Sequence, residues 1–417
     1  MELDIDTNGK KKEMEKVSAY LNLSDNEINS LLKYENIAKG ILKVDGEEYE
    51  AWRIIHNNSL GPGKGGIRFH PDTNEEEIKS LSFWMSLKSS LLGLPFGGAK
   101  GGVRINTKKK SKKHLQKVAR AYVGEFNEFL GENKDIPAPD VYTNSETIGW
   151  MLDEYEKINK RNEPAMITGK PLVLGGCAIR ETATSEGGKI ILNQFIKKIN
   201  KKPETTTIAV QGFGNAGKNI AEMLFKEGYN IIGVSDSKGG IKSEDAININ
   251  ELKKIKQEKG SVCDFKEAKQ ITNENLLEMD VDFLVLAAME NQITEKNANR
   301  IKASNILELA NGPVTAEADT ILLKRGVNVI PSILSSAGGV VASYCEWSMN
   351  KSGNILTKSQ LQEIFNKKML DAFHEVYELS KEAHGFDLRS AALAISIKRL
   401  IKAQSARNMI NHNNNNR

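Results

Sequence analysis

Apolar residues recur along this chain with two periods, and the switch between them divides it into elements. Residues 1–40 carry helical periodicity, anchored by Leu21, Leu23, Ile28, Leu31 and Leu32. Ser24 with Glu27 forms a capping box that opens a second short helix. Ile41–Val44 and Tyr49–Ile55 read as strands joined by a turn at Asp45-Gly46. The glycine-rich run from Gly61 to His70 reads as a loop. Thr73 with Glu76 is a second capping box, for a helix over Glu75–Leu92. In that helix Leu81, Met85, Lys88 and Leu92 fall on one stripe. Val103–Ile105 is a short strand, and helices are predicted over His114–Leu130 and Glu146–Lys160.

Beyond a glycine-rich crossing at Gly169–Gly188, the pattern changes to short apolar runs separated by helical segments. A helix over Thr184–Ile199 is followed by strands at Thr206–Val210, Ile231–Ser235, Asp282–Ala287, Ile306–Leu309 and Val327–Ile330. This alternation is that of a buried parallel sheet. Thr357–Lys402 returns to helix, broken at Gly385-Phe386-Asp387.

Composition narrows the classes. The chain has 417 residues, enough for two to three domains. Its 39% apolar and 27% charged content is that of an ordinary globular protein. A net charge of +4 with the signs interspersed argues against a nucleic-acid binder. The basic run Lys108–Lys113 has no interleaved aromatic and reads as a solvated loop. No apolar run reaches the ~20 residues of a membrane span. The N-terminal Met-Glu-Leu-Asp-Ile-Asp has neither part of a secretory signal, and three scattered cysteines fit a reducing cytoplasm. Asn411–Arg417 is an asparagine-rich tail expected to be disordered.

Candidate chemistry concentrates in two places. Between Gly61 and Arg104 lie three lysines: Lys64 and Lys100 among glycines, and Lys88 on the apolar stripe. Lys88 either snorkels to water or meets a carboxylate. Mutual repulsion and burial would lower the pKa of at least one, making a general base. Pro137-Ala138-Pro139 fixes the backbone ahead of Asp140, which reads equally as a turn residue or a proton carrier. The second place is Gly212-Phe213-Gly214-Asn215-Ala216-Gly217, with a strand before it and a helix after it. Asp236 ends the next strand, 19 residues past Gly217. That spacing fits a dinucleotide site with its pyrophosphate at the helix N-terminus and an acid at the ribose. Hydride transfer is then the default chemistry. No histidine has metal-ligand spacing, so no metal is expected.

These residues resemble the glutamate dehydrogenases of the hexameric amino-acid dehydrogenase superfamily. The likeness spans nearly the whole chain. It rests on Gly61–Pro71, Trp84–Lys88, Leu94–Arg104, Pro137–Thr143, Thr168–Arg180, Val210–Gly217, Glu290-Asn291, Ala310–Pro313 and Ser343–Trp347. The resemblance implies an α/β protein with an N-terminal α/β substrate domain at 1–180. A Rossmann-like dinucleotide-binding domain would occupy 181–345. C-terminal helices at 346–417 would pack back on the first domain. It implies that Lys64 and Ser343 bind a side-chain carboxylate, Lys88 an α-carboxylate, and Thr184 the substrate and nicotinamide region. Lys100 would activate water and Asp140 would carry protons at nitrogen. Gly212–Gly217, Asp236, Lys238 and Asn311 would hold NAD or NADP. The partners implied are L-glutamate, 2-oxoglutarate and ammonium, in a cytoplasmic homohexamer. Asp236 favours NAD, whereas Ser235, Ser237 and Lys238 could take a 2′-phosphate. Lys64 with Ser343 argues against a branched-chain or aromatic amino-acid dehydrogenase. The chain departs from the family at Cys177, Ile179, Ser185, Leu286, Ser332 and Ser336. Those departures motivate a third reading, a weakly active or regulatory paralogue.

Overall fold

The computed structural model describes residues 7–410, with side chains from residue 14. The expectations for the N-terminal hexapeptide and the Asn411–Arg417 tail lie outside the described residues. The chain forms two compact units, each built on one sheet. One holds Ser18–Arg180, Val340–Ile364 and the described part of Leu393–Arg417; the other holds Glu181–Gly339, Phe365–Ala392 and the described part of Met1–Val17. Among the described residues no helix is long and apolar enough to cross a membrane.

The first unit begins at α1 (Thr7–Leu21), whose last residues enter it, and α2 (Asp25–Leu32), which opens on the expected Ser24–Glu27 capping box. β1 (Asn36–Val44) and β2 (Glu47–Asn57) form a hairpin with Asp45 and Gly46 both at positive φ, the geometry of a two-residue primed turn. The remaining strands are β3 (Gly63–His70), β4 (Gly98–Arg104) and β5 (Asp135–Pro139), giving the order β1-β2-β4-β3-β5. β3 pairs in parallel with β4 and β5. The segment read as a loop is therefore an interior strand of the sheet. Its glycines serve close approach: a Cβ at Gly65 would lie 1.6 Å from the Ala99 carbonyl oxygen of β4. The two prolines of β5 are tolerated because β5 is an edge strand.

Helix α3 (Glu75–Leu91) crosses from β3 to β4. Its N-cap is Asn74, whose side chain accepts from the Glu77 amide, and not Thr73; Thr73 is buried and gives its carbonyl to Arg104. The buried face also differs from the expected stripe. Ser82, Ser86, Ser89 and Ser90 are buried with Phe83, Leu87, Lys88 and Leu91, while Leu81 and Met85 are half-buried. Small side chains are required there because the helix backbone nearly touches β4: a Cβ at Gly98 would sit 2.2 Å from the Ser86 amide nitrogen. Helices α4 (Lys112–Phe126) and α5 (Ser145–Asn159) pack against the sheet around Tyr122, Phe126, Met151 and Tyr155.

The second unit begins with α6 (Ala183–Lys198), β6 (Thr207–Gln211), α7 (Asn215–Lys226) and β7 (Asn230–Asp236). β8 (Gly239–Lys242), α8 (Ile249–Lys259), β9 (Lys269–Ile271) and α9 (Asn273–Leu277) follow. Next come β10 (Phe283–Leu286), β11 (Asn305–Glu308), α10 (Ala316–Lys324) and β12 (Asn328–Ile330). Five strands are parallel in the order β12-β11-β10-β6-β7, and β8 and β9 extend the sheet antiparallel beyond β7. Those two strands, four and three residues long, carry no periodic signal and were not expected. The strand order reverses between β6 and β10, the switch point at which doubly wound sheets bind ligands.

After α11 (Ser332–Ser335) and α12 (Gly338–Ser352), the chain ends in α13 (Lys358–Glu382) and α14 (Leu388–Ala406). The segment 346–417, expected to return whole to the first domain, divides instead. In the second unit α13 packs on α6, with Met369 Cε 3.1 Å from the Cβ position at Gly187 and Tyr377 edge-on to Phe195. The far half of α14 belongs to the first unit, where Arg399 donates to the Leu91 carbonyl at 2.6 Å and Ser90 to the Ser396 carbonyl at 2.7 Å. Opposite ends of this helical pair thus find different partners.

Candidate functional site

The parallel strands of the first unit bring Lys64, Lys100 and Asp140 into one charged cluster. Lys64 lies on β3, Lys100 on β4 and Asp140 just past β5. Lys100 Nζ stands 3.1 Å from Asp140 Oδ2, and Arg68 Nε donates to the same oxygen at 2.9 Å. Burial raises the Asp140 carboxyl, but Lys100 and Arg68 outweigh it and hold the pKa down at about 2. Lys100 is pushed below the usual lysine value by burial and by Arg68, against the pull of Asp140. Lys88, buried on α3, is pushed down to about 8 by burial and by the Lys100 charge.

Lys64 is the exception in its surroundings. It is 2% exposed, and among the described residues its ammonium has no hydrogen-bond acceptor or ion-pair partner. Burial drives its pKa well below the ordinary value, and the Arg180 and Arg53 cations drive it the same way against Glu346 and Asp135. Beneath it, Arg53 and Asp135 form a fully buried bidentate pair, with Nε to Oδ2 at 2.6 Å. Arg53 also donates to the Gly65 carbonyl at 3.1 Å. That pair joins β2, β3 and β5 and fixes the floor on which Lys64 stands.

Ser343 is on α12 with its hydroxyl accepting from Thr168 Oγ1 at 3.2 Å, one helical turn before Glu346. Glu346 is a fully buried anchor. It accepts from the Gly169, Lys170 and Cys177 amides and from Lys170 Nζ at 2.7 Å. The loop 169–177 is thereby tied to α12, and Arg180 is carried at the loop's end. Arg68, Arg53 and Arg180 were not singled out from sequence. The signal available for Arg68 was its place at the end of Gly-Gly-Ile-Arg, but Arg104 ends the matching Gly-Gly-Val-Arg and instead bonds Thr73 and Glu50 at the surface.

Thr184 belongs to the second unit, in the first turn of α6. The second unit also holds the glycine turn. Gly212, at φ +89, leaves β6 against β10; a Cβ there would be 2.8 Å from the Ala287 carbonyl oxygen. A Cβ at Gly217 would fall 1.8 Å from the Gly212 carbonyl oxygen. Gly214 by contrast has nothing within 4 Å of its Cβ position and caps α7 without a side-chain hydrogen bond. A closed turn with one open face at an uncapped helix N-terminus suits a pyrophosphate. Phe213 is buried, whereas Asn215 is exposed and Ala216 half-buried. The Ser185 hydroxyl, a departure from the family, donates to the Ala216 carbonyl at 2.8 Å and so braces this turn. Asn311 is exposed at the end of β11. Ser235 is buried and donates to Asn273 Oδ1 at 3.0 Å. Lys238 is exposed, while the Asp236 carboxylate is turned inward to Lys256 and the Val262 amide.

The family model for Glutamate/Leucine/Phenylalanine/Valine dehydrogenase matches residues 175–408, and that for the Glu/Leu/Phe/Val dehydrogenase dimerisation domain matches 39–157. The chain belongs to this family. It is 41% identical over 405 residues to the NADP-specific glutamate dehydrogenase of Saccharolobus shibatae, covering 96% of each chain. It is 44% identical over 355 residues to the NAD-specific glutamate dehydrogenase of Staphylococcus aureus, covering 85% of each. The fold is similar to the hetero-hexameric glutamate dehydrogenase of Thermus thermophilus in its Leu-bound form, with a TM-score of 0.90, 27% identity, and 98% and 99% of the two chains covered. The match to the Saccharolobus shibatae relative spans 96% of this chain.

Proposed function

We propose that this chain catalyses the reversible oxidative deamination of L-glutamate to 2-oxoglutarate and ammonium with NAD or NADP, as a homohexamer. The observation that carries the reading is Lys64, a buried lysine whose ammonium has no ion-pair partner among the described residues and whose nearest charges are dominated by the Arg180 and Arg53 cations. Such a group is costly unless a ligand supplies the counter-charge. With Arg180 in its field and Ser343 on the neighbouring helix, it suits a side-chain carboxylate. Lys88 suits the α-carboxylate at the other end of the substrate.

Between those ends, Lys100 and Asp140 share a 3.1 Å contact through which a proton can pass. While Lys100 is charged, Asp140 is held ionised. When Lys100 gives up its proton, Asp140 loses one of the two cations that depress it and becomes the better proton acceptor. Lys100 can then orient and deprotonate water for attack on the iminium carbon, and Asp140 can pass the proton to the departing nitrogen. The Gly212–Gly217 turn and the N-terminus of α7 would hold a nicotinamide dinucleotide, which when bound would supply the hydride acceptor. The rest of the chemistry belongs to these side chains.

Purified protein assayed for nicotinamide reduction with L-glutamate, L-leucine and L-phenylalanine, using each dinucleotide, tests this reading. Turnover is expected with glutamate. Absence of turnover with glutamate, or a preference for leucine, contradicts it.

A further inference from the structure

The period of strand β3 places Arg68 beside Asp140. Lys64, Gly66 and Arg68 alternate onto one face of the strand, and Arg68 pairs with Gly102 of β4, two residues past Lys100. Gly66 keeps that face open between the two cations: a Cβ there would lie 2.8 Å from Asp140 Cβ. Asp140 fills the space. Its amide donates to Thr143 Oγ1 at 2.8 Å, and that hydroxyl donates to the Ile67 carbonyl at 2.8 Å, so the backbone of the acid is tied to β3.

The two carboxylate oxygens of Asp140 are used unequally. Oδ2 accepts from Arg68 Nε at 2.9 Å and faces Lys100 Nζ at 3.1 Å. Among the described residues nothing donates to Oδ1, and the side chain keeps 18% exposure. The far end of Arg68 is held as well, because Nη1 bonds Glu77 on α3. Glu77 is itself fixed in the first turn of that helix, where its amide donates to Asn74 Oδ1 at 3.0 Å. Its second oxygen, Oε2, is buried without a hydrogen bond, so the carboxylate is committed to Arg68. A planar guanidinium bound at one end keeps its Nε aimed in one direction. Rotation of the Asp140 carboxylate, which would exchange its two oxygens, breaks that bond. Lys88 on α3 and Arg180 also act on Asp140 through their charges.

We propose that Arg68, anchored by Glu77, is a positioning residue for the deamination: it fixes Asp140 Oδ2 against Lys100 and leaves Asp140 Oδ1 for the nitrogen of the substrate. This rests on the function proposed above and adds two residues to it. Arg68 acts through Asp140 and Glu77 acts through Arg68, so the three form a chain in which the outer members serve the inner one.

Steady-state kinetics with L-glutamate across a pH series, on the full-length protein and its variants, test this. Arg68→Met is expected to lower kcat about a hundredfold while KM for glutamate moves less than about threefold, because Lys64, Lys88 and Ser343 remain. Its acid limb should move to higher pH by roughly half a unit to one unit, since Lys100 loses a cation that lowers it. Arg68→Lys keeps the charge and should return the limb to its parental position, with kcat still reduced because one ammonium does not span two carboxylates. Glu77→Gln, which preserves size, should lower kcat about five- to tenfold, and should cost nothing further when added to Arg68→Met. Losses that multiply in the double variant overturn the anchoring role of Glu77. Parental kcat in Arg68→Met, or a loss confined to KM, overturns the positioning role of Arg68. If Arg68→Met does not fold, Arg68→Lys and Glu77→Gln decide by the same split of kcat from KM. A parent that turns glutamate over while its variants match it overturns this proposal alone; a parent without turnover removes the function beneath it.

Discussion

Lys64 is buried with no ion-pair partner among the described residues, and its energetics follow from that. Burial and the two neighbouring arginine charges lower its folded-state pKa below the ordinary 10.5. The folded state therefore binds protons less well than the unfolded state, a penalty that is full below the folded pKa and fades as pH rises toward 10.5. Lys64→Met is expected to raise the unfolding free energy of the unliganded protein by about 1–3 kcal/mol near neutral pH, while abolishing turnover of glutamate. Urea denaturation of both proteins across a pH series checks this: the gain should shrink as the solution becomes alkaline. A variant less stable than its parent at neutral pH would contradict it. At the acid–base pair, Asp140→Asn should lower kcat by about 10²–10⁴-fold without weakening 2-oxoglutarate binding, because Lys88 and Lys64 remain. Separate kinetic and calorimetric measurements distinguish that outcome from a general loss of the site.

At the scale of elements, the sheet of the first unit exists because its strands lack side chains where they meet. A Cβ at Gly65 would lie 1.6 Å from a backbone oxygen, so Gly65→Ala should cost more than about 3 kcal/mol or prevent folding. Gly124, exposed in the last turn of α4 with nothing within 4 Å of its Cβ position, is the control. Gly124→Ala should stabilise by about 0.5–1 kcal/mol, read from the same thermal or urea midpoints. The pair also explains what was legible in the sequence. Helices announced themselves through periodicity and caps: α3 and α5 fall within one residue of expectation, and α2 opens on the expected cap. Strand β3 and the glycine-rich start of β4 did not, because glycine is written the same way whether it makes a turn or admits a neighbouring backbone; only the end of β4 was expected, at Val103–Ile105. The one-residue error at the cap of α3 has a similar origin: Thr73 has the right chemistry for a cap, but its burial under Arg104 is a tertiary fact.

For the whole molecule, the lysines, the glycine turn and the two-sheet plan were readable because each carries its signal within one short stretch. The state of Asp236 was not, because three of the groups that occupy it, Lys256, Ser261 and Val262, come from 20 to 26 residues downstream. The division of the C-terminal helices was equally hidden, since both helices look alike in sequence and differ only in what they pack against. The residues proposed to hold carboxylates and move protons all come from the first unit, and the dinucleotide turn from the second. A homohexamer should sediment with a mass near six times the 46.2 kDa chain, and a monomer or dimer would contradict that assembly. The claim on which the rest depends is that Lys64 awaits a carboxylate. It is tested most directly by comparing kcat/KM for L-glutamate and for L-norvaline, which lacks the side-chain carboxylate, in the parent protein and in Lys64→Leu. The account predicts a preference for glutamate of roughly a thousandfold or more in the parent, collapsing in the variant. Equal use of the two substrates by the parent, or a preference that survives loss of Lys64, would contradict it.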